Sequence, residues 1–416
     1  VKHASRTLIA LAAAAPMALA LDVKDDDVKL GLKLQLQVRA EWSDAVSSNE
    51  TTETPWNATN GAVGINDPAE FYIRRARIGF AGSYKGDYKF AVILRNDGQD
   101  YAQNSSSSSI DPTQTTPQAV NFNRRPEAHV AFIERVFKQE DMKLEHSIRA
   151  GLDYAFFNGS SAVFSSSGYL FPSARATDQG AMLAPRGVGV GYKLDGEFFT
   201  WGVDAQNNTG DGTNGGDGLV YTTRLHLTPP GDMAIKKPTE SFLGKEGTHA
   251  MVSVEYGQNN NDRAGANSVD LTAYGAELLV HWEGLTALAE IRQASEETTN
   301  VTTEASSEIK RQIWVVQAGY AFPMGDTVLE PAVRFTSIDL NKDIDEEGSG
   351  DTANAIAGTR GYSGQDYGTS GDQFEIGVNW YLNGHSNKVQ VAYMDWSAEV
   401  GPAEAQILRA QWQLSF

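Results

Sequence analysis

The stretch Val28-Lys29-Leu30-Gly31-Leu32-Lys33-Leu34-Gln35-Leu36-Gln37-Val38-Arg39-Ala40-Glu41-Trp42 decides the reading of this chain. Its even-numbered positions are apolar and its odd-numbered positions are polar or glycine, without a break. Side chains alternate between the two faces of a β-strand, so this is a strand with one greasy and one wet face. It is also long: strands of soluble sheets average about five or six residues. The same alternation returns along the chain, through Tyr88–Leu94, Leu144–Phe156, Trp314–Phe322, Phe374–Leu382 and Leu408–Phe416.

The separators between these segments take turns in size. Short ones such as 84–87, 139–141, 194–196, 283–284, 323–326 and 383–386 carry Gly, Asp, Asn and Pro, which is turn chemistry. Long ones run through 43–69, 97–125, 157–186, 207–218, 258–269, 295–308 and 340–371, rich in Ser, Thr, Asn, Asp and Gly. Alternating short and long hairpin connections point to an all-β fold: a transmembrane antiparallel up-and-down β-barrel of about 16 strands, with short periplasmic turns and long extracellular loops. Aromatics near strand ends (Trp42, Tyr88, Tyr154, Tyr320, Phe322, Trp380, Trp412, Phe416) fit interfacial girdles. A last strand ending in Phe416 fits a recognition signal for barrel assembly. The segment 229–247, with Pro229-Pro230-Gly231 and Lys236, Lys237 and Lys245, is long where a short turn belongs. Of a latch, a plug or a disordered long turn, the last is the expectation.

Composition fits once the barrel is assumed. The 416 residues hold 53 Asp and Glu against 34 Lys and Arg, a formal charge of −19, and no cysteine. Such acidity argues against nucleic-acid binding, which rests on basic side chains at phosphates. Without cysteine there are no disulfides and no thiolate metal sites. Mean hydropathy is only −0.37 because every second strand residue would face a polar lumen. Residues 1–20 read as a secretory signal peptide: basic Lys2, His3 and Arg6, an apolar run, and a small-residue end at Ala18-Leu19-Ala20. Residues 21–416 would then be the exported barrel, placed in the bacterial outer membrane against lipid and lipopolysaccharide.

Several stretches resemble the phosphate-selective porin family (porins O and P). Phe71-Tyr72-Ile73-Arg74-Arg75-Ala76-Arg77-Ile78-Gly79 with Gly86-Asp87-Tyr88-Lys89-Phe90 is similar to its second and third strands. Pro185-Arg186-Gly187-Val188-Gly189-Val190 is similar to the segment after its inward-folding third loop. Asn379-Trp380-Tyr381-Leu382-Asn383 and Leu408-Arg409-Ala410-Gln411 resemble its last hairpins. The resemblance implies a homotrimer of water-filled, often anion-preferring pores.

Strand parity assigns the lumen independently of that resemblance. It turns Lys33, Arg39, Arg75, Arg77, Lys89, Arg95, Arg135, Arg149, Arg224, Arg311 and Arg334 inward, with Glu127, Glu145, Glu255, Asp270, Glu277, Glu290 and Glu375 among the acids. Basic residues outnumber acidic ones there, against the charge of the whole chain. A wall of guanidinium and ammonium groups attracts anions; the alternative is that each Arg pairs with a lumenal carboxylate. Loop 157–186 is the expected constriction, with Arg175, Arg186, Tyr169 and Phe171 as its functional side chains. It has no lysine, so a general small-anion channel is expected rather than a strictly phosphate-specific one. Alternatives are a neutral-solute or sugar porin using Phe164, Tyr169 and Phe171, and a structural or adhesive barrel with a closed lumen. The acidic run near Asp343–Asp351 reads as a solvated loop rather than a calcium site. No cofactor is expected. Neither a G-x-S-x-G, an H-E-x-x-H nor a phosphate-loop motif occurs, so an enzyme is not expected.

Overall fold

Alternating segments become paired strands in the computed structural model, which describes residues 22–24, 27–46, 70–96, 127–157, 166–173, 175, 186–207, 218–235, 238–264, 267–300, 303–304, 306–339, 342, 370–398 and 404–416. The strands are β1 (Asp22–Lys24), β2 (Val28–Val46), β3 (Glu70–Tyr84), β4 (Tyr88–Arg95), β5 (Glu127–Gln139), β6 (Leu144–Tyr154), β7 (Arg186–Asp195), β8 (Phe199–Asn207) and β9 (Leu219–Leu227). They continue as β10 (Thr248–Ala264), β11 (Asn267–Trp282), β12 (Leu285–Asn300), β13 (Ser306–Tyr320), β14 (Phe322–Met324), β15 (Thr327–Asp339), β16 (Gly371–Asn383), β17 (Asn387–Ala398) and β18 (Glu404–Ser415).

Each strand pairs antiparallel with its sequence neighbour, and β18 closes the ring on β2 (Leu414 opposite Leu36). With β13 and β14 counted as one strand interrupted at Ala321, and the short β1 set aside, this is a closed 16-strand barrel. Closure leaves no strand edge to be hydrogen-bonded by lipid. The seam is tight: Leu34 and Phe416 exchange both backbone hydrogen bonds, at 2.8 and 3.0 Å. Beyond it β1 pairs with Lys29–Gly31. In the two-residue turn Glu283-Gly284 both residues have positive φ (45° and 91°), the backbone that fits the twist of a hairpin.

Burial is inverted relative to a soluble protein. Ile78, Phe80, Val92, Ile133, Val190, Val254, Ile376 and Trp380 are exposed, whereas Arg39, Arg224, Glu277, Arg292, Arg334 and Glu375 are buried. Lipid would cover the first set, and the barrel interior holds the second.

Four sequence expectations are corrected. The segments 258–269 and 295–308 are not long loops: β10 to β13 continue through most of both. Past the apolar band both faces are polar (Gln258-Asn259-Asn260-Asn261, Ser295-Glu296-Glu297), so alternation disappears while backbone pairing continues. Arg135 points outward, over the rings of Tyr88 and Phe137 at 5.5 and 4.7 Å. The cause is a bulge at His129, where Ile93 pairs with Val130 but Leu94 pairs with Ala128, which flips the parity of β5 and turns Glu134 inward. Asp270 is exposed beside the buried, inward Leu271. Finally, the part of 229–247 that is described is ordered against the barrel interior: Glu240 and Ser241 are fully buried. The proposed signal peptide and the acidic run near 343–351 lie outside the described residues.

Candidate functional site

The lumen is divided between a filled half and a half that water reaches. On β10 to β18 the inward side chains are almost all buried. Residues 166–173 and 175, which belong to the long connection between β6 and β7, lie across this half. Where that connection leaves β6, Phe157 inserts among Val220, Leu271, Ala273, Ala294, Ile313, Val315 and Ile338, an apolar patch on the inner wall. Phe156 packs on the bare backbone of Gly202, where an added Cβ would lie 2.5 Å from the ring. Further along, the Tyr169 carbonyl accepts from Lys388 Nζ (2.5 Å) and Gln390 Nε2 (3.1 Å). Leu170 and Phe171 pack with Ala332 and Ala392, and the Arg334 guanidinium lies 4.6 Å from the centre of the Phe171 ring. The Ser173 hydroxyl donates to Glu375 Oε1, and Arg334 bonds both Ser173 and Glu375.

This half is a lattice of compensated charge. Arg292 faces Glu255, Glu290 (3.4 Å) and Glu277 (3.6 Å). Arg224 joins the same group through Glu277 (2.9 Å) and Glu255 (3.4 Å). Arg311 pairs with Glu296, and Arg409 with Glu41 at 2.8 Å. Arg175, from the in-folded connection, is fully buried between Glu240 and Glu290. For Arg175, Arg224, Arg311 and Arg334, therefore, the pairing alternative holds: each meets a carboxylate. Tyr169 and Phe171 are buried against the wall as anchors, with no ring face left for a passing sugar; Phe164 lies outside the described residues.

The opposite half, β2 to β6, is where water enters. Lys29 and Lys33 are exposed on the inner face of β2, and Arg77 of β3 is half-buried. Lys89 meets Glu145 at 3.3 Å with 43% of its side chain exposed, and Arg95 meets Glu127 at 3.1 Å with 25% exposed. Arg149 bridges to Asp153 and lies over Phe132 and Phe156. Arg77 and Arg95 are direct cross-strand partners, so two cations stand side by side on this wall. Arg39 and Arg75 sit at the boundary between the halves. Arg39 reaches the Pro172 carbonyl and Gln411 (2.9 Å), and Arg75 donates to Gln37 (2.9 Å) beside the Tyr169 ring. Arg186 donates to His129 Nδ1 at 2.5 Å, which leaves His129 Nε2 to donate to the Tyr154 hydroxyl at 2.9 Å.

Sequence parity misses four charged groups of the interior. Lys388 and Glu134 stand on strands whose two faces are both partly apolar, Glu296 lies in the stretch of β12 whose sequence reads as a loop, and Glu240 belongs to no strand. Only the excess length of 229–247 marks it in the sequence.

From the short-turn end, 238–245 enters beneath the in-folded connection. The Ser241 carbonyl accepts from His385 Nε2 at 3.0 Å, in the turn between β16 and β17, while His385 Nδ1 is buried without a hydrogen-bond partner. Burial, and then the charge of Lys388, lowers the His385 pKa from 6.5 to about 4. A depressed histidine pKa favours the docked state above 6.5 and withdraws that support as pH falls toward 4. Acidification through this window should therefore loosen 238–245, by up to about tenfold per pH unit in the local opening equilibrium. Hydrogen exchange of the amides near Ser241 and Leu243 at pH 7 and pH 4.5 checks it; equal protection after correction for intrinsic exchange would contradict it.

A family model described as phosphate-selective porin O and P matches residues 57–416. Among solved structures, Salmonella typhi OmpF in complex with daunomycin aligns with a TM-score of 0.54 at 14% identity, over 95% of this chain and all of that one. OmpT of Vibrio cholerae aligns with a TM-score of 0.51 at 9% identity, again over 95% and 100%. The in-vitro folded trimer form of that OmpT gives 0.50 at 10% identity, over 94% and 100%. At such identities the likeness is one of fold. No curated protein matches the sequence significantly.

Proposed function

Because the chain belongs to the phosphate-selective porin O and P family, and so is a channel of the bacterial outer membrane, we propose that it passes small hydrophilic anions along the β2–β6 wall. The observation that carries this reading is the sorting of charge between the two halves of the lumen. Buried arginines of the filled half are matched by buried glutamates and present no net field to a solute. The cations that water reaches, Lys29, Lys33, Arg77, Lys89 and Arg95, are gathered on one wall. Rings and rows of such groups bias permeation toward anions, and low-dielectric walls focus their field.

In this reading 157–186 is the constriction. Its described core is pinned across the far half of the lumen, which confines solutes to the basic wall. The carboxylates of Glu145 and Glu127 temper that wall, so selectivity is weak, and no dense lysine cluster favours phosphate over other small anions. A homotrimer set in lipid and lipopolysaccharide, export by a cleaved signal peptide at 1–20, and the absence of catalysis belong to the same proposal. The trimer form of the Vibrio cholerae structure supports the first of these by likeness of fold alone.

The test is the zero-current potential of the purified protein in a planar bilayer under a KCl gradient. Its sign should report chloride as the more permeant ion. Cation preference would overturn the anion reading. Block by oligosaccharide but not by phosphate would favour neutral solutes, and absence of any conductance would leave a closed structural barrel.

A further inference from the structure

The geometry points to a second constricting element: residues 238–245, entering from the periplasmic end, are a latch that holds the in-folded loop in place, with Glu240 as its positioning residue. This rests on the channel reading above and goes beyond it, because the latch acts on the loop rather than on the solute.

The argument starts from what Glu240 touches. Its carboxylate accepts from the Leu170 backbone N–H at 2.8 Å, from Gln317 Nε2 of the β13 wall at 2.9 Å, and from the Arg175 guanidinium. Arg175 in turn reaches Glu290 of β12 at 3.0 Å. One carboxylate from the periplasmic segment thus binds the described loop core at two points, Leu170 and Arg175, and fastens them to the wall. All four side chains are buried, so these bonds work at low effective dielectric, where charge-assisted hydrogen bonds are strong and a missing partner is costly.

The latch is itself clamped on either side of Glu240. Phe242 stacks on the cross-strand pair His281 and His249, with ring centres 4.6 and 5.8 Å from its own. The Lys245 carbonyl accepts from His281 Nε2. Upstream, Ile235 N–H donates to the Thr228 hydroxyl at 2.7 Å and Ala234 bridges Ala250. The segment is therefore built to bring one acidic side chain to one place. Without it the loop would keep its contacts to β15–β18 and the Arg175–Glu290 pair on β12 but lose the tie that Glu240 makes to Gln317 of β13, and the filled half of the lumen would open from below.

The structure supplies a direct test, since the chain has no cysteine of its own. A Cβ built at Gly168 would lie 3.6 Å from the Thr239 Cβ, within the roughly 3.5–4.5 Å that a disulfide spans. In the full-length channel, the pair Gly168→Cys/Thr239→Cys should oxidise to a cross-link between loop and latch, and the oxidised channel should conduct as the parent does. Glu240→Ala alone should raise single-channel conductance about twofold or more and move the zero-current potential toward zero, because the passage widens away from the basic wall. Combining Glu240→Ala with the oxidised cysteine pair should restore the parent's conductance and selectivity, and reduction should release it again.

Failure of the cysteines to cross-link would overturn the latch, as would a folded Glu240→Ala channel that conducts and selects like the parent. Should Glu240→Ala not assemble, the cross-link in the otherwise unaltered chain decides alone. A parent channel that does not conduct at all would instead sink the porin reading and leave loop–latch contact to be judged by the disulfide.

Discussion

Arg292→Met is expected to destabilise the barrel by about 3–5 kcal/mol, the usual cost of removing one partner from a buried ion pair. Arg292 is fully buried on the inner face of β12, and it is the common neighbour of Glu255, Glu277 and Glu290. Methionine fills much of the space but leaves three buried carboxylates sharing only Arg224 and Arg175. At least one must then take up a proton or draw in water. Urea unfolding in detergent micelles or lipid vesicles measures the change, with heat-modifiable gel mobility as a check on assembly. The comparison that gives the result meaning is Lys89→Met on the opposite wall. Lys89 and Glu145 are 43% and 33% exposed, and such pairs are worth about 0–1 kcal/mol. Equal losses for the two variants would refute the division of the lumen into a structural half and a conducting half.

That division was only half legible from residues alone. In β2, strict alternation from Val28 to Trp42 places Arg39 and Lys33 inward without ambiguity, because only one face can meet lipid. In β5, the run Glu127–Gln139 is apolar on both phases, so a bulge at His129 reverses Arg135 and Glu134 with no trace in the pattern. In β17 the inward set includes Trp396, which is 1% exposed, and its apolar character hides that Lys388 shares its face. Pairing of Arg224 with Glu277 or of Arg334 with Glu375 depends on register between strands, which periodicity does not encode. The latch is the extreme case. Between Pro238 and Lys245 no period exists, and the contact of Glu240 with Leu170, 70 residues away, arises only because the barrel encloses both. The fold could be read because lipid imposes a rule on every second residue; inside the lumen no such rule applies.

The second large effect is on selectivity. Replacing Lys29, Lys33 and Lys89 together by glutamate is expected to turn the anion preference into a cation preference, with the chloride-to-potassium permeability ratio passing from above one to below one. All three stand on the inner face of the water-reached wall, and each replacement alters the local charge by two units without touching the buried lattice. Substitutions at such positions usually change stability by no more than about 0.5 kcal/mol, so the barrel should assemble normally. The field of these groups reaches about 10 Å at 0.1 M salt but only about 3 Å at 1 M. The reversal should therefore be large in dilute KCl and shrink in concentrated KCl. Lys143→Glu is the control: Lys143 sits in the turn between β5 and β6, with 74% of its side chain in solvent, and pairs with Glu197 at the mouth. Reversing it should leave the potential nearly unchanged. A triple variant that stays anion-selective at low salt would mean that the wall does not guide the ions, and that selectivity resides in the loop or the latch.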